Sequence, residues 1–366
     1  MRRRKKEKMK KLIKFSLFVA VFSVCIIAAD TVKASAITPI GSAKPDTVYD
    51  TEENEFDGLS GCWYKVTLKN SGTLTFTGTC TQAPMWNNLE FRILDAAGNL
   101  IKEEHYNGST NIFTADLLAG TYYIGSERSG GSSGLSYKAK IKYSFEAVKE
   151  TVKDSVTEAH NSILTAGKFK GNKVTGFFAL NDKTDVFKYK VSSSSLLTLT
   201  FCTETVDNAT VTITDKKGNI VGNYRNLRRG TSKYKIPVAK GTYYVTVSSE
   251  YNTGIYKLGL KAAKLAATKQ KKVSSSVYGK AAVKFSSVNY ATGYQIQASR
   301  TKKFTSKVIA YAEKNKNTIS VGGLKAGKTY YIRTRAVFEY NGQKFYSNWS
   351  AVKSIKICKK KSRRSR

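Results

Sequence analysis

From Ile37 onward the chain is written in short runs where apolar and polar residues alternate, broken by Gly, Asn, Asp and Ser. Alternation at period two gives a strand one buried face, so the patterning predicts an antiparallel all-β protein. In the first stretch, Tyr64-Lys-Val-Thr-Leu and Leu74-Thr-Phe-Thr read as a hairpin about Asn70-Ser71-Gly72. Leu89-Glu-Phe-Arg-Ile-Leu-Asp then runs into the turn Ala97-Gly98-Asn99, and Tyr137-Lys-Ala-Lys-Ile closes the set. A second stretch repeats the layout. Phe187-Lys-Tyr-Lys-Val and Leu197-Thr-Leu-Thr-Phe form its hairpin, Val211-Thr-Ile-Thr-Asp leads into Lys217-Gly218-Asn219, and Tyr256-Lys-Leu-Gly-Leu closes it. Landmark offsets are nearly constant: 123 from Tyr64 to Phe187, 120 from Asp95 to Asp215, 121 from Gly120 to Gly241 and 119 from Tyr137 to Tyr256. Four landmarks in order with so little drift indicate an internal duplication.

A glycine corner followed by two tyrosines occurs three times, as Leu118-Ala-Gly-Thr-Tyr-Tyr, Ala239-Lys-Gly-Thr-Tyr-Tyr and Leu324-Lys-Ala-Gly-Lys-Thr-Tyr-Tyr. Intervals of roughly a hundred residues predict three tandem antiparallel β-sandwich domains. The expected division is 1–36 as a leader, 37–147 and 148–263 as the duplicated sandwiches, 264–357 as a third sandwich and 358–366 as a basic tail. A Lys/Ala/Ser-rich linker from Lys261 to Ser276 would join the second sandwich to the third.

The second unit contains Gly176-Phe-Phe-Ala-Leu-Asn-Asp-Lys-Thr-Asp-Val-Phe-Lys-Tyr, then an Asp215-x-x-Gly-Asn turn and Ala239-Lys-Gly-Thr-Tyr-Tyr. Over most of residues 155–262 it resembles the bacterial pre-peptidase C-terminal (PPC) domain, a jelly-roll-like sandwich often appended to secreted peptidases. The first unit looks like a divergent copy, with Glu52-Glu-Asn-Glu-Phe-Asp-Gly in place of the usual entry. In the third unit, Ala282-Val-Lys-Phe, Gly293-Tyr-Gln-Ile-Gln-Ala-Ser, Tyr330-Tyr-Ile-Arg-Thr-Arg-Ala and Tyr346-Ser-Asn-Trp-Ser-Ala follow in order. This resembles an immunoglobulin-like fibronectin type III domain of secreted Gram-positive bacterial proteins, with Tyr330 as the corner tyrosine and Phe285 in place of the usual tryptophan. The resemblances imply accessory binding modules.

Charge adds a compartment and a partner class. Arg2 to Lys14 is strongly basic, Phe15 to Ala29 is apolar, and Ala34-Ser35-Ala36 offers small residues for cleavage. That pattern predicts a signal peptide cut after Ala36, and hence secretion to an extracellular or cell-wall-associated location. Beyond it, net charge climbs from −4 over 37–147 to +9 over 148–263 and +23 over 264–366. A field of that size suits an anionic cell-wall polymer or polysaccharide, and secretion argues against nucleic acid as the partner. The alternative is a basic face that is simply solvated.

The basic third unit supplies most of the candidate site residues. Alternation along Tyr330–Ala336 turns Tyr331, Arg333 and Arg335 outward, on the face expected to hold Gln295 and Gln297. Arg300, Lys302, Lys303 and Lys307 extend that surface, and Lys359, Lys360, Lys361, Arg363, Arg364 and Arg366 add the tail. Polyanions would be held there by long-range attraction. Enzymatic chemistry lacks parts: the only histidines are His105 and His160, and no His-Glu-x-x-His motif is present. The chain is therefore expected not to be an enzyme.

No cofactor is expected except a structural calcium, which the resemblance to collagenase sandwich domains implies near the entry of the second sandwich. Asp182 and Asp185 are the candidate ligands there, with Glu52, Glu53, Glu55 and Asp57 before the equivalent strand of the first unit. The competing reading has these acids capping turns. Trp86, in the loop Ala83-Pro-Met-Trp-Asn-Asn, is the candidate glycan platform. Cys62 and Cys80 flank the first turn symmetrically, which allows either a cross-strand disulfide or two thiols. Cys202 reads as a buried apolar residue. Together these point to a secreted, non-catalytic, envelope-associated binding protein. The alternatives are an adhesin or carbohydrate-binding protein, or an accessory subunit of a secreted hydrolase that would need an enzyme partner.

Overall fold

The computed structural model describes residues 37–53, 61–82, 89–128, 137–157, 159–169, 171–313, 316–340 and 342–359. The leader, Trp86, Glu55, Asp57 and the tail from Lys360 to Arg366, with Lys361, Arg363 and Arg364, lie outside the described residues. The described chain is all β, in three consecutive stretches that each enclose a hydrophobic core.

The first unit comprises β1 (Gly41–Ser42), β2 (Tyr49–Glu53), β3 (Cys62–Leu68), β4 (Gly72–Gln82), β5 (Leu89–Asp95), β6 (Leu100–His105), β7 (Asn111–Leu117), β8 (Gly120–Arg128) and β9 (Tyr137–Ala147). One sheet runs β1-β3-β8-β5-β6 and the other β2-β9-β4-β7. The second unit repeats the plan with β10 (Gly167–Lys168), β11 (Lys173–Phe178), β12 (Thr184–Val191), β13 (Ser195–Thr203), β14 (Ala209–Asp215), β15 (Ile220–Leu227), β16 (Gly230–Val238), β17 (Gly241–Ser248) and β18 (Gly254–Lys264). Its sheets run β10-β12-β17-β14-β15 and β11-β18-β13-β16, strand for strand the same order. The duplicated turns match in detail. Asp95 Oδ1 accepts from the backbone N–H of Ala97 and Asn99, and Asp215 Oδ1 accepts from those of Lys217 and Asn219.

The two expected hairpins are not hairpins. β3 pairs with β1 and β8, whereas β4 pairs with β7 and β9, so the turn at Asn70–Gly72 carries the chain from one sheet to the other. β12 and β13 are separated in the same way. Each strand of such a pair points its apolar row into the shared interior: Val66 and Leu68 from one sheet, Leu74 and Phe76 from the other. Burying a side chain of this kind is worth roughly 1.5–3 kcal/mol. Gly72 makes the crossing possible, because a Cβ there would lie 2.1 Å from the carbonyl oxygen of Glu146.

This arrangement removes the geometry expected of Cys62 and Cys80. Cys62 stands in register with Ser126 on β8 and Cys80 with Ala139 on β9, in different sheets, so they are not cross-strand neighbours. Cys202 is also corrected: it sits on the outward row of β13 and is half-buried.

The third unit comprises β19 (Gln270–Ser274), β20 (Ala281–Phe285), β21 (Gly293–Ser299), β22 (Lys307–Glu313), β23 (Thr318–Val321), β24 (Thr329–Tyr340), β25 (Gln343–Tyr346) and β26 (Lys353–Lys356). Sheet β19-β20-β23 faces sheet β22-β21-β24-β25, with β26 also on β24. Much of the segment read as a linker is strand, since β18 continues to Lys264 and β19 pairs with β20. Phe285 is fully buried, its ring 4.5 Å from that of Tyr294. All three corner tyrosines tie back to the chain just before their strand. Tyr122 donates to the carbonyl of Leu118, Tyr243 donates to that of Ala239, and Tyr330 accepts from the N–H of Lys325.

Candidate functional site

The turn from Ala179 to Asp182 closes with backbone hydrogen bonds of 3.0 and 3.2 Å between its ends, which sets Asp182 and Asp185 just ahead of and within β12. Both side chains point inward: Asp182 is 3% exposed and Asp185 1%. There they meet Asp154, 4% exposed, from the segment that leads out of the first unit. Ligand oxygens of the three carboxylates lie within 4.8 Å of one another. Sequence reasoning found Asp182 and Asp185 but missed Asp154, which lies some thirty residues earlier in the segment between sandwiches.

Neighbouring side chains hold these carboxylates in place. Tyr256 on β18 donates to Asp185 Oδ2 at 2.5 Å, and Gly176 gives it passage, since a Cβ there would lie 2.3 Å from the Tyr256 hydroxyl. The His160 ring and backbone N–H both meet Asp154 Oδ1, the latter at 2.9 Å. Asp182 Oδ2 and Glu150 Oε1 are buried with no hydrogen-bond partner. Burial pushes Asp182 up to about 6 and Glu150 up to about 7, with nearby carboxylates adding to both. Asp185 is driven well above the usual carboxylate range by burial and then by Asp154.

A set made only of carboxylates, with orphaned buried oxygens, suits a hard divalent cation such as calcium. Asp154, Asp182 and Asp185 would hold it, with Glu150 alongside. The site also touches the junction of the first two units. Ser71 Oγ donates to the carbonyl of Asp154, Val156 N–H donates to that of Ala119, and Leu180 N–H donates to that of Asp116. Leu118 packs on Phe177 and Ala179 beside it. The corresponding acids of the first unit, Glu52 and Glu53, lie on β2.

On the third unit, Arg300, Lys302, Lys303, Lys307 and Lys359 are all exposed. Gln295 and Gln297 do face Arg335 and Arg333 across β21 and β24. The two arginines, however, are built into a stack. Arg333 lies between the rings of Phe304 and Trp349, at 4.0 and 4.3 Å, and Arg335 between Tyr346 and Trp349, at 3.7 and 4.3 Å. Gln297 Oε1 accepts two hydrogen bonds from Arg333, and Gln295 Oε1 accepts one from Arg335. Burial lowers the pKa of both guanidinium groups. The alternation in Tyr330–Ala336 was legible, but the insertion of Trp349 between the two arginines was not.

No family model and no curated protein matches the chain. Among solved structures, the pre-peptidase C-terminal domain of a Bacillus anthracis collagenase aligns at 20% identity over 26% of this chain and 94% of its own, with TM-score 0.25. A fibronectin type III domain from human KIAA0970 protein aligns at 20% identity over 26% of this chain and 74% of its own, with TM-score 0.22. A two-domain fibronectin type III segment of chicken tenascin aligns at 12% identity over 48% of this chain and 99% of its own, with TM-score 0.27.

Proposed function

We propose that the chain is a secreted, non-catalytic binding protein of a cell envelope, built from two PPC-like sandwiches and a fibronectin type III-like module. The third unit tethers it to anionic wall polymers, and calcium at the Asp154, Asp182 and Asp185 cluster stiffens the junction of the first two units. One observation carries the tether. Residues 264–366 hold twenty-five Lys and Arg against two acids, and among the described residues none of these cations forms an ion pair. Unpaired like charge of this density costs self-repulsion that solubility does not require, and a polyanion relieves it.

The experiment is cosedimentation of the full chain with Gram-positive cell walls, beside a variant carrying Arg300→Gln, Lys302→Gln, Lys303→Gln and Lys307→Gln. These four exposed side chains leave the Trp349 stack intact. Loss of pelleting in the variant supports the tether; equal pelleting of both chains opposes it.

A further inference from the structure

The outer face of the sheet β11-β18-β13-β16 in the second unit carries a trough of about 600 Å3 with Gly259 in its floor. Register places the residues around it. One row across the sheet reads Lys173, Gly259, Thr200 and Lys233. The rows on either side add Thr175, Lys257 and Cys202, then Lys261, Thr198 and Lys235. Lys173, Lys233, Lys257 and Lys261 are exposed, and none forms an ion pair among the described residues. Lys235 is engaged by Tyr290 of the third unit, at 2.7 Å. At its upper end the trough runs into a second hollow that shares Thr175, Cys202 and Lys257, where Lys149 and Glu204 add one charge of each sign.

The duplicated unit shows that this is a departure rather than a property of the fold. By the offset that relates Tyr137 to Tyr256, Lys140 is the counterpart of Gly259. In the first unit the same row holds Asp50, Lys140 and Thr79. Lys140 Nζ lies 3.9 Å from Asp50 there, and Lys142 lies 3.7 Å from Asp46. The second unit has exchanged that acid for Lys173 and the covering lysine for a glycine. One change opens the floor and the other leaves cations without a partner.

We propose that this trough binds a strand of anionic polysaccharide. Lysines on opposite sides meet its acidic groups, and the hydroxyls of Thr175, Thr198 and Thr200 along the floor meet its sugar hydroxyls. Lys257 and Lys261, four residues apart on one strand, are separated by about 14 Å, so successive charges on an extended chain can be engaged together. Among the described residues no aromatic ring lines the trough to stack on a base, which separates it from single-stranded nucleic acid sites. The site is distinct from the tether on the third unit and does not depend on it.

The test uses the full chain with the four third-unit Gln substitutions as background, so failure of the tether leaves this readout intact. Two variants are compared with that background. Gly259→Lys with Lys173→Asp installs the first unit's closed pattern. Gly259→Leu fills the floor with no change of charge. A Cβ at 259 meets nothing nearer than Thr200 Cβ at 3.5 Å, so both fit the backbone, and thermal unfolding confirms the fold. Binding to dextran sulfate is expected to fall about tenfold or more in each variant, and to weaken with salt in the background chain. Neutral dextran should bind none of the three. Unchanged affinity in Gly259→Leu would overturn the trough as the site, and equal affinity for single-stranded DNA would overturn the polysaccharide assignment.

Discussion

Tyr256 donates a hydrogen bond to Asp185, two side chains buried on facing sheets of the second sandwich. At the position of Asp185 the first unit carries Cys62, so the duplication has placed a carboxylate where the fold accepts a small apolar group. Retaining a buried acid beside Asp154 and Asp182 costs stability unless a cation offsets it. Calcium is therefore expected to raise the melting temperature of the full chain, and chelation to lower it. At a free concentration a hundredfold above Kd the gain is about 2.7 kcal/mol. Asp185→Asn should abolish the response, as read by calorimetric titration with calcium.

The same cluster sets a pH dependence for the metal-free chain. Asp182 and Glu150 are raised to about 6 and about 7, above the values near 4 they take when unfolded. Between those limits the folded state binds more protons than the unfolded one, so stability falls as pH rises. Metal-free protein should be more stable at pH 5 than at pH 7.5 in the unfolding of its second unit. Added calcium should remove most of that difference, and urea melts at the two pH values check it.

Gly72→Ala places a methyl group 2.1 Å from the Glu146 carbonyl oxygen, where the backbone has to shift. The substitution should destabilise the first unit by about 1–3 kcal/mol, the usual cost of overpacking. Gly259→Ala, in open contact, should be close to neutral. Parallel denaturant melts of the two variants separate a crossing that demands glycine from a floor that merely has one.

Trp349→Ala removes the ring shared by Arg333 and Arg335. Each exposed or half-buried cation–π contact contributes about 0.5–2 kcal/mol, so the third unit should lose roughly 1–3 kcal/mol. Trp349→Phe should recover part of the loss. Intrinsic fluorescence cannot follow the Ala variant at this site, so hydrogen exchange along β24 is the appropriate measurement.

The strands, the duplication and the corner tyrosines were legible because period-two alternation and turn residues are local signals. Strand partners were not. Alternation says that Val66 and Leu74 both point inward, but it does not say whether their strands lie side by side or in opposite sheets, and the hairpin reading failed there. Asp182 and Asp185 could be found because they lie three residues apart where the Ala179–Asp182 loop enters β12. Asp154 could not, because only the fold brings the segment between the sandwiches back to that loop. Lys140 and Gly259 align visibly in the sequence. Their meaning needed the register that sets Asp50 beside one and Lys173 beside the other.

The tether proposed for the third unit is a charge-driven hold on anionic wall polymer. Its most direct measurement is affinity of the full chain for purified wall teichoic acid across a salt series. Electrostatic tethering is expected to give a linear fall of log affinity with log salt, with a shallower slope for the Arg300, Lys302, Lys303 and Lys307 to Gln variant. Binding that ignores salt, is unchanged in the variant and is displaced by neutral sugars would contradict it.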